Sequence, residues 1–186
     1  LNELRGKVVL IRFWSADCSL CDRSASALNY LYEKYGEVAE RGVARGNTER
    51  SEYTAEEARA PSRRSGDKQY KQRGLVIIGI HHPKSPEARD IRYVKLAAER
   101  LGFQFPIAQD TEWKTINLYW LEGIKRKYTS ASFLIDRKGK FSLIHEGGVL
   151  SLNSSYGKSK SFLELDRTID QLLKNKDRIN SEPDQI

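Results

Sequence analysis

The chain has 186 residues, 39% of them hydrophobic and 10% aromatic, which suits one globular domain and excludes a chain disordered throughout. Lys and Arg number 32 against 25 Asp and Glu, a formal net charge of +7; the charges are scattered, so the excess reads as solubility and no nucleic-acid partner is expected. Two cysteines exclude a disulfide-rich scaffold and a four-cysteine zinc site, and apolar runs as short as Val8 to Ile11 exclude a transmembrane helix within these residues. The absence of Met leads us to expect a removed leading segment, so a membrane partner is expected only through a missing N-terminal anchor.

Val8-Val9-Leu10-Ile11 with Phe13-Trp14 is a nearly continuous apolar run, as expected of a strand buried on both faces. From Cys18 to Tyr35 the apolar positions Cys21, Ala25, Leu28, Leu31 and Tyr35 recur at steps of three and four, an amphipathic helix. The stretch 36–73 holds nine basic and seven acidic residues and few large apolar ones. It is read as a loosely packed surface insertion, with a short helix over Ala55 to Ala60. Leu75 to Ile80 is a second buried strand. Ser85-Pro86 then predicts a helix start, with Ile91, Val94, Ala98 and Leu101 facing inward and Gly102 at its end. Phe105 to Ala108 is a short strand and Trp113 to Leu121 a weaker helix. Ser132-Phe133-Leu134-Ile135 and Phe141-Ser142-Leu143-Ile144 flank the turn Asp136 to Gly139 and predict a hairpin. Phe162, Leu165, Ile169, Leu172 and Leu173 make a last helix, and a polar tail occupies 176–186. The order βα, insertion, βα, β, helix, ββ, α predicts an α/β sandwich with parallel βαβ units, an antiparallel hairpin and a closing helix, in one domain over 1–175.

Both cysteines lie in Cys18-Ser19-Leu20-Cys21, where a buried strand hands over to a helix. Cys18 falls at the helix N-terminus and Cys21 one turn inside, so the two sulfurs share a face. Unpaired N–H groups there favour thiolate over thiol and bring cysteine pKa values from about 8.5 into the range of about 3.5–7.5. Cys18 would attack a disulfide and Cys21 would resolve the mixed disulfide. Two buried core cysteines, or half of a zinc site completed by His81, His82 or His145, remain alternatives.

The segment from Leu4 through Arg12-Phe13-Trp14-Ser15-Ala16-Asp17 to Cys18 and Cys21 resembles the opening of the thioredoxin-like family, in its extracytoplasmic TlpA-like and redoxin branch. Val76 to His81, Phe105 to Asp110, and Phe133 to Asp136 followed by Gly139 extend the resemblance over most of residues 4–175, the insertion apart. It implies a three-layer thioredoxin-like sandwich and a thiol–disulfide oxidoreductase with no cofactor and no metal. It also implies protein thiol or disulfide substrates, an electron donor, and a place outside the cytoplasm. Trp14 and Asp17 would flank the pair, with Thr129 and Ser130 facing it on the substrate side.

Three positions depart from the family pattern. Ser26 stands where a helix-kinking proline is usual, Ser130 where a cis-proline is usual, and Arg12 where thioredoxins proper carry a buried acid. The Thr129–Ser130 bond is accordingly expected to be trans. Arg12 either snorkels to solvent from the strand end or is held inside. A peroxiredoxin-like peroxidase using Cys18 is the second reading: Ser15 partly matches that family's threonine, while its arginine is absent at Ser130, with Arg126 near in sequence; a binding module with little turnover is the third. His81 and His82 are expected as hydrogen-bonded loop histidines, His145 as structural, and Trp14, Trp113 and Trp120 as core or site walls. Arg126, Lys127, Arg137, Lys138 and Lys140 contribute to a net +4 over 112–140, taken as a solvated face.

Overall fold

The structure is a computed structural model and describes residues 2–36, 74–152 and 159–174. The predicted insertion, from residue 37 onward, and the tail from residue 175 lie outside the described residues.

Five strands form one mixed sheet. β1 (Val8–Trp14) is central; β2 (Leu75–His81) pairs with it in parallel and β3 (Ile107–Gln109) extends that parallel side. On the other side β4 (Ser132–Ile135) pairs antiparallel with β1, and β5 (Phe141–His145) antiparallel with β4, giving the order β3-β2-β1-β4-β5. All seven residues of β1 are buried, which is why its sequence runs apolar without alternation. Among the described residues four α-helices accompany the sheet: α1 (Ser19–Tyr35), α2 (Ile91–Arg100), the short α3 (Lys114–Ile116) and α4 (Lys160–Lys174).

The two faces of the sheet bury different sets. Val8, Leu10 and Trp14 point to one face. There α1 and α4 pack through Leu28, Leu31, Phe162, Leu165 and Ile169, and α2 packs through Val94, Ala97, Ala98 and Leu101. Val9, Ile11 and Phe13 point to the other face and meet Ile116, Trp120 and Phe133. Helices therefore cover both faces of the sheet, the predicted three-layer arrangement.

Three sequence expectations need correction. Ser85 and Pro86 open only a one-turn 3-10 helix, Glu87–Arg89, with the Ser85 hydroxyl accepting from the Ala88 N–H at 3.2 Å. α2 starts later, capped by Asp90, whose carboxylate accepts from the Arg92 N–H at 2.8 Å. That shift turns Ile91 outward, 47% exposed, and puts Ala97 on the buried stripe in its place. The weak helix after Trp113 is a single α turn followed by a π turn over Asn117–Leu121. Trp113 caps it in the left-handed region (φ 58°), and Asp110 accepts from the Thr115 and Ile116 N–H groups at 3.0 and 2.8 Å. The hairpin matches expectation, with Gly139 (φ 80°) closing its turn.

Candidate active site

Strand directions bring the site residues to one edge of the sheet. β1 and β2 run in parallel, so Trp14 and His81 end side by side, and the His82 N–H donates to the Trp14 carbonyl at 3.0 Å. β4 runs the other way, so the chain enters it at the same edge through Thr129, Ser130 and Ala131. The Phe13 N–H donates to the Ala131 carbonyl at 2.9 Å. β5 returns there, delivering Gly147 and Gly148. Such an edge, at the carboxyl ends of parallel strands, is where α/β folds place their chemistry.

Cys18 is the N-cap of α1 in an extended conformation (φ −118°, ψ 104°), and its carbonyl accepts from the Cys21 and Asp22 N–H groups at 2.8 and 3.1 Å. Both cysteines are free thiols. The Cys21 thiol donates to the Cys18 sulfur, the main reason the Cys18 pKa falls from 9.0 to about 5. Burial opposes the fall, while the Cys21 and Leu20 N–H groups and nearby Lys84 add to it. Cys21 moves the other way. Its donation to Cys18, then its burial, push its thiol strongly up, against the pull of Arg12 and the Ser15 N–H. The pair is thus divided into one ready thiolate and one held proton, the division that nucleophile and resolving roles need.

Neither sulfur lies open on the surface. Cys18 is 9% exposed and Cys21 2%, a small contrast in exposure beside the contrast in proton affinity. Trp14, 1% exposed, lies under the pair, edge-on to His81 and Phe103 with ring centroids 5.0 and 5.3 Å away. Gly79 makes room for it: a Cβ there would stand 3.1 Å from the Trp14 indole nitrogen and 2.7 Å from the Ile107 methyl. Asp17 is exposed, its two oxygens accepting from the Ser85 hydroxyl and the Tyr93 phenol, each at 2.8 Å. This ties the strand–helix loop to the α2 segment.

Thr129 and Ser130 are both engaged internally. The Thr129 hydroxyl is 2.9 Å from His82 Nε2, and the buried Ser130 hydroxyl accepts from the Gly148 N–H at 3.2 Å. No cis peptide occurs among the described residues, so Thr129–Ser130 is trans as expected. His81 and His82 are fully buried, and burial lowers their pKa values to about 4 and about 3. For His82, Lys84 and His81 push the same way. Both rings are neutral near pH 7. Neither His81 ring nitrogen has a partner among the described residues, unlike the hydrogen-bonded loop histidine expected there. His145 Nδ1 accepts from the Gly147 N–H at 3.3 Å.

Arg12 is held inside; the snorkelling alternative fails because β1 is flanked by β2 and β4 and covered on both faces. Its guanidinium donates to the Ser132 hydroxyl (3.0 Å), the Ser24 hydroxyl (3.4 Å) and the Gly148 carbonyl (3.3 Å). Ser24, Ser132 and Gly148 carry no motif in the sequence; only the burial of Arg12 picks them out. Arg126 is taken up elsewhere. Its guanidinium lies 3.9 Å over the Trp120 ring and its Nε donates to the Trp120 carbonyl at 3.2 Å. Among the described residues no group of three or more His, Cys, Asp or Glu is placed to hold a metal.

Several proteins similar to this chain are named for disulfide chemistry. The chain is 28% identical over 139 residues to the protein DipZ of Mycobacterium bovis, covering 75% of this chain and 14% of DipZ. It is 26% identical over 140 residues to the thiol-disulfide oxidoreductase ResA of Bacillus thuringiensis, and 27% over 149 residues to ResA of Halalkalibacterium halodurans. These alignments cover 75% and 80% of this chain but only 55% and 59% of the ResA proteins. Among solved structures, a thiol:disulfide interchange protein DsbE from Chlorobium tepidum superposes with TM-score 0.55 at 21% identity, over 92% of this chain and 84% of that one. A secreted Mycobacterium tuberculosis disulfide oxidoreductase superposes equally well (TM-score 0.55, 12% identity), over 92% of this chain and 86% of that one. No protein-family model matches the chain. The fold is thioredoxin-like.

Proposed function

We propose that this thioredoxin-like chain is a thiol–disulfide oxidoreductase that exchanges protein disulfides outside the cytoplasm. The observation that carries the reading is the placement of the pair: Cys18 is the N-cap of α1, where β1 hands over to the helix at the sheet's carboxyl edge, and Cys21 lies one turn further on, its N–H bonded to the Cys18 carbonyl. The Cys18 thiolate attacks one sulfur of a substrate disulfide, and the other substrate sulfur leaves with the electron pair and takes a proton. Cys21 then gives up its proton and attacks the Cys18 sulfur. The second substrate thiol leaves, and Cys18–Cys21 becomes the disulfide. A dithiol donor restores the pair with two electrons. Substrate would approach over the edge formed by Asp17, Thr129 and Ser130, with Trp14 supporting the pair from below. A place outside the cytoplasm is supported by the solved relative described as secreted. Among the described residues no helix is long and apolar enough to cross a membrane.

Reduction of insulin-type disulfides in the presence of a small dithiol tests the reading. Turnover should appear and vanish in Cys18→Ser. A chain inert in that assay but binding a partner would be the binding module, and one that consumes peroxide instead would be the peroxidase.

A further inference from the structure

Arg12 is a cation in the wrong company for a buried charge. Alternation along β1 puts it on the same face as Leu10 and Trp14, the face against which α1 carries Cys21 and Ser24. It is 1% exposed. Its three hydrogen bonds go to two hydroxyls and a carbonyl, and its Nε has no partner among the described residues. The Ser24 hydroxyl already donates to the Leu20 carbonyl at 2.7 Å and accepts from the Leu150 N–H at 3.1 Å, so the seat is built and neutral.

A guanidinium does not give up its proton in a protein, and an interior charge needs a counter-charge. No carboxylate among the described residues pairs with it, and Asp17 is spent on Ser85 and Tyr93. His145, on β5, is neutral near pH 7, its pKa lowered to about 4 by burial and by Arg12 itself. His81 and His82 are neutral there too, and Lys84, beside Cys18, has the same sign as Arg12. The group left is the Cys18–Cys21 pair: the guanidinium reaches α1 at Ser24, one turn after Cys21, and while burial lowers the Arg12 pKa, Cys21 and Cys18 raise it.

We propose that Arg12 is the buried counter-cation of the Cys18–Cys21 pair, stabilising its reduced, thiolate-bearing form over the disulfide and thereby making the pair a stronger oxidant. The proposal rests on the oxidoreductase reading and assigns its direction. With glutathione as reductant, the Cys18–Cys21 disulfide takes two electrons from two glutathione thiols. The products are one glutathione disulfide, the Cys18 thiolate, the Cys21 thiol and one released proton. In the disulfide neither sulfur is charged, so the guanidinium loses the one anion it has among the described residues. Arg12 is a positioning residue: it acts on the sulfurs through charge and touches no substrate.

The test equilibrates the parent, Arg12→Met and Arg12→Lys against graded mixtures of reduced and oxidised glutathione, then alkylates the free thiols and weighs the protein. Arg12→Met should favour the disulfide by about tenfold, about 30 mV more reducing for a two-electron couple. Arg12→Lys, which keeps the charge, should recover most of that shift. The Cys18 thiolate absorbance should titrate at higher pH in Arg12→Met and return towards the parent midpoint in Arg12→Lys. An unchanged potential in Arg12→Met, or one shifted to more oxidising values, overturns the proposal, as does a loss that lysine fails to recover. If Arg12→Met does not fold, the parent decides: its reduced form should resist denaturant better than its oxidised form, and the reverse order refutes the assignment. A parent whose two cysteines never join refutes the oxidoreductase reading itself, a distinct outcome.

Discussion

Removing the Cys21 thiol should release part of the hold on Cys18. Donation by that thiol is the largest cause of the Cys18 pKa of about 5. A hydrogen bond to a charged group contributes about 1.5–3 kcal/mol. At about 1.4 kcal/mol per pKa unit, its loss in Cys21→Ala raises Cys18 by about one to two units. The variant midpoint should therefore lie at about 6–7, still below 9.0 because the Leu20 and Cys21 N–H groups and Lys84 remain. At about pH 6 the parent is then roughly 90% thiolate and the variant roughly a quarter, so reaction with iodoacetamide should slow about fourfold. By about pH 8 the difference should have nearly vanished. The assay is the pH profile of that rate, checked by thiolate absorbance. A parent midpoint near the ordinary value of about 8.5, or a variant that titrates with the parent, would refute the reasoning.

The other expectations concern stability. Cys18 has a folded pKa of about 5 against an ordinary 9.0. The unfolded chain therefore holds the extra proton between those values, and the thiolate's contribution is complete above about 9 and lost as pH falls to about 5. Denaturant melts of the reduced protein should gain stability with rising pH by at most about 1.4 kcal/mol per unit, a slope that Cys18→Ser removes above about pH 6.5. Below that, protonation of His81 and His82, whose pKa values are lowered to about 4 and about 3, should destabilise reduced and oxidised protein alike. Gly79→Val should cost about 1–3 kcal/mol in a melt, since the added side chain meets Trp14, Phe105 and Ile107; a neutral result would mean the indole moves freely. Ser130→Ala leaves the buried Gly148 N–H without its acceptor and should cost about 1–3 kcal/mol, read the same way.

Signals carried by burial and spacing were legible before any coordinates. β1 and β2 announce themselves as apolar runs, broken in β1 by Arg12; β1 is buried throughout and β2 alternates between buried and half-buried residues, and Cys18 and Cys21 follow from a strand giving way to a helix with period 3.6. Signals shared between neighbours were less clear. Ser85-Pro86 and Asp90 have the same capping chemistry five residues apart, and the helix that continues belongs to Asp90, with Ile91 turned outward. The left-handed Trp113 and the π turn after it leave no composition cue, since they depend on Asp110 holding two N–H groups across the loop. Arg12 was undecided for the same reason. Whether a long cation on a strand snorkels depends on its cover, and its seat of Ser24, Ser132 and Gly148 comes from positions up to 136 residues apart.

The roles of the two sulfurs are tested most directly by intact-mass measurement of Cys21→Ser after exposure to an oxidised protein substrate. One covalent adduct, mapped to Cys18 and released by a small dithiol, is the expected result, because the nucleophile remains and the resolving thiol is gone. Absence of the adduct, or a comparable adduct at Cys21 in Cys18→Ser, would contradict the assignment of Cys18 as the attacking thiolate.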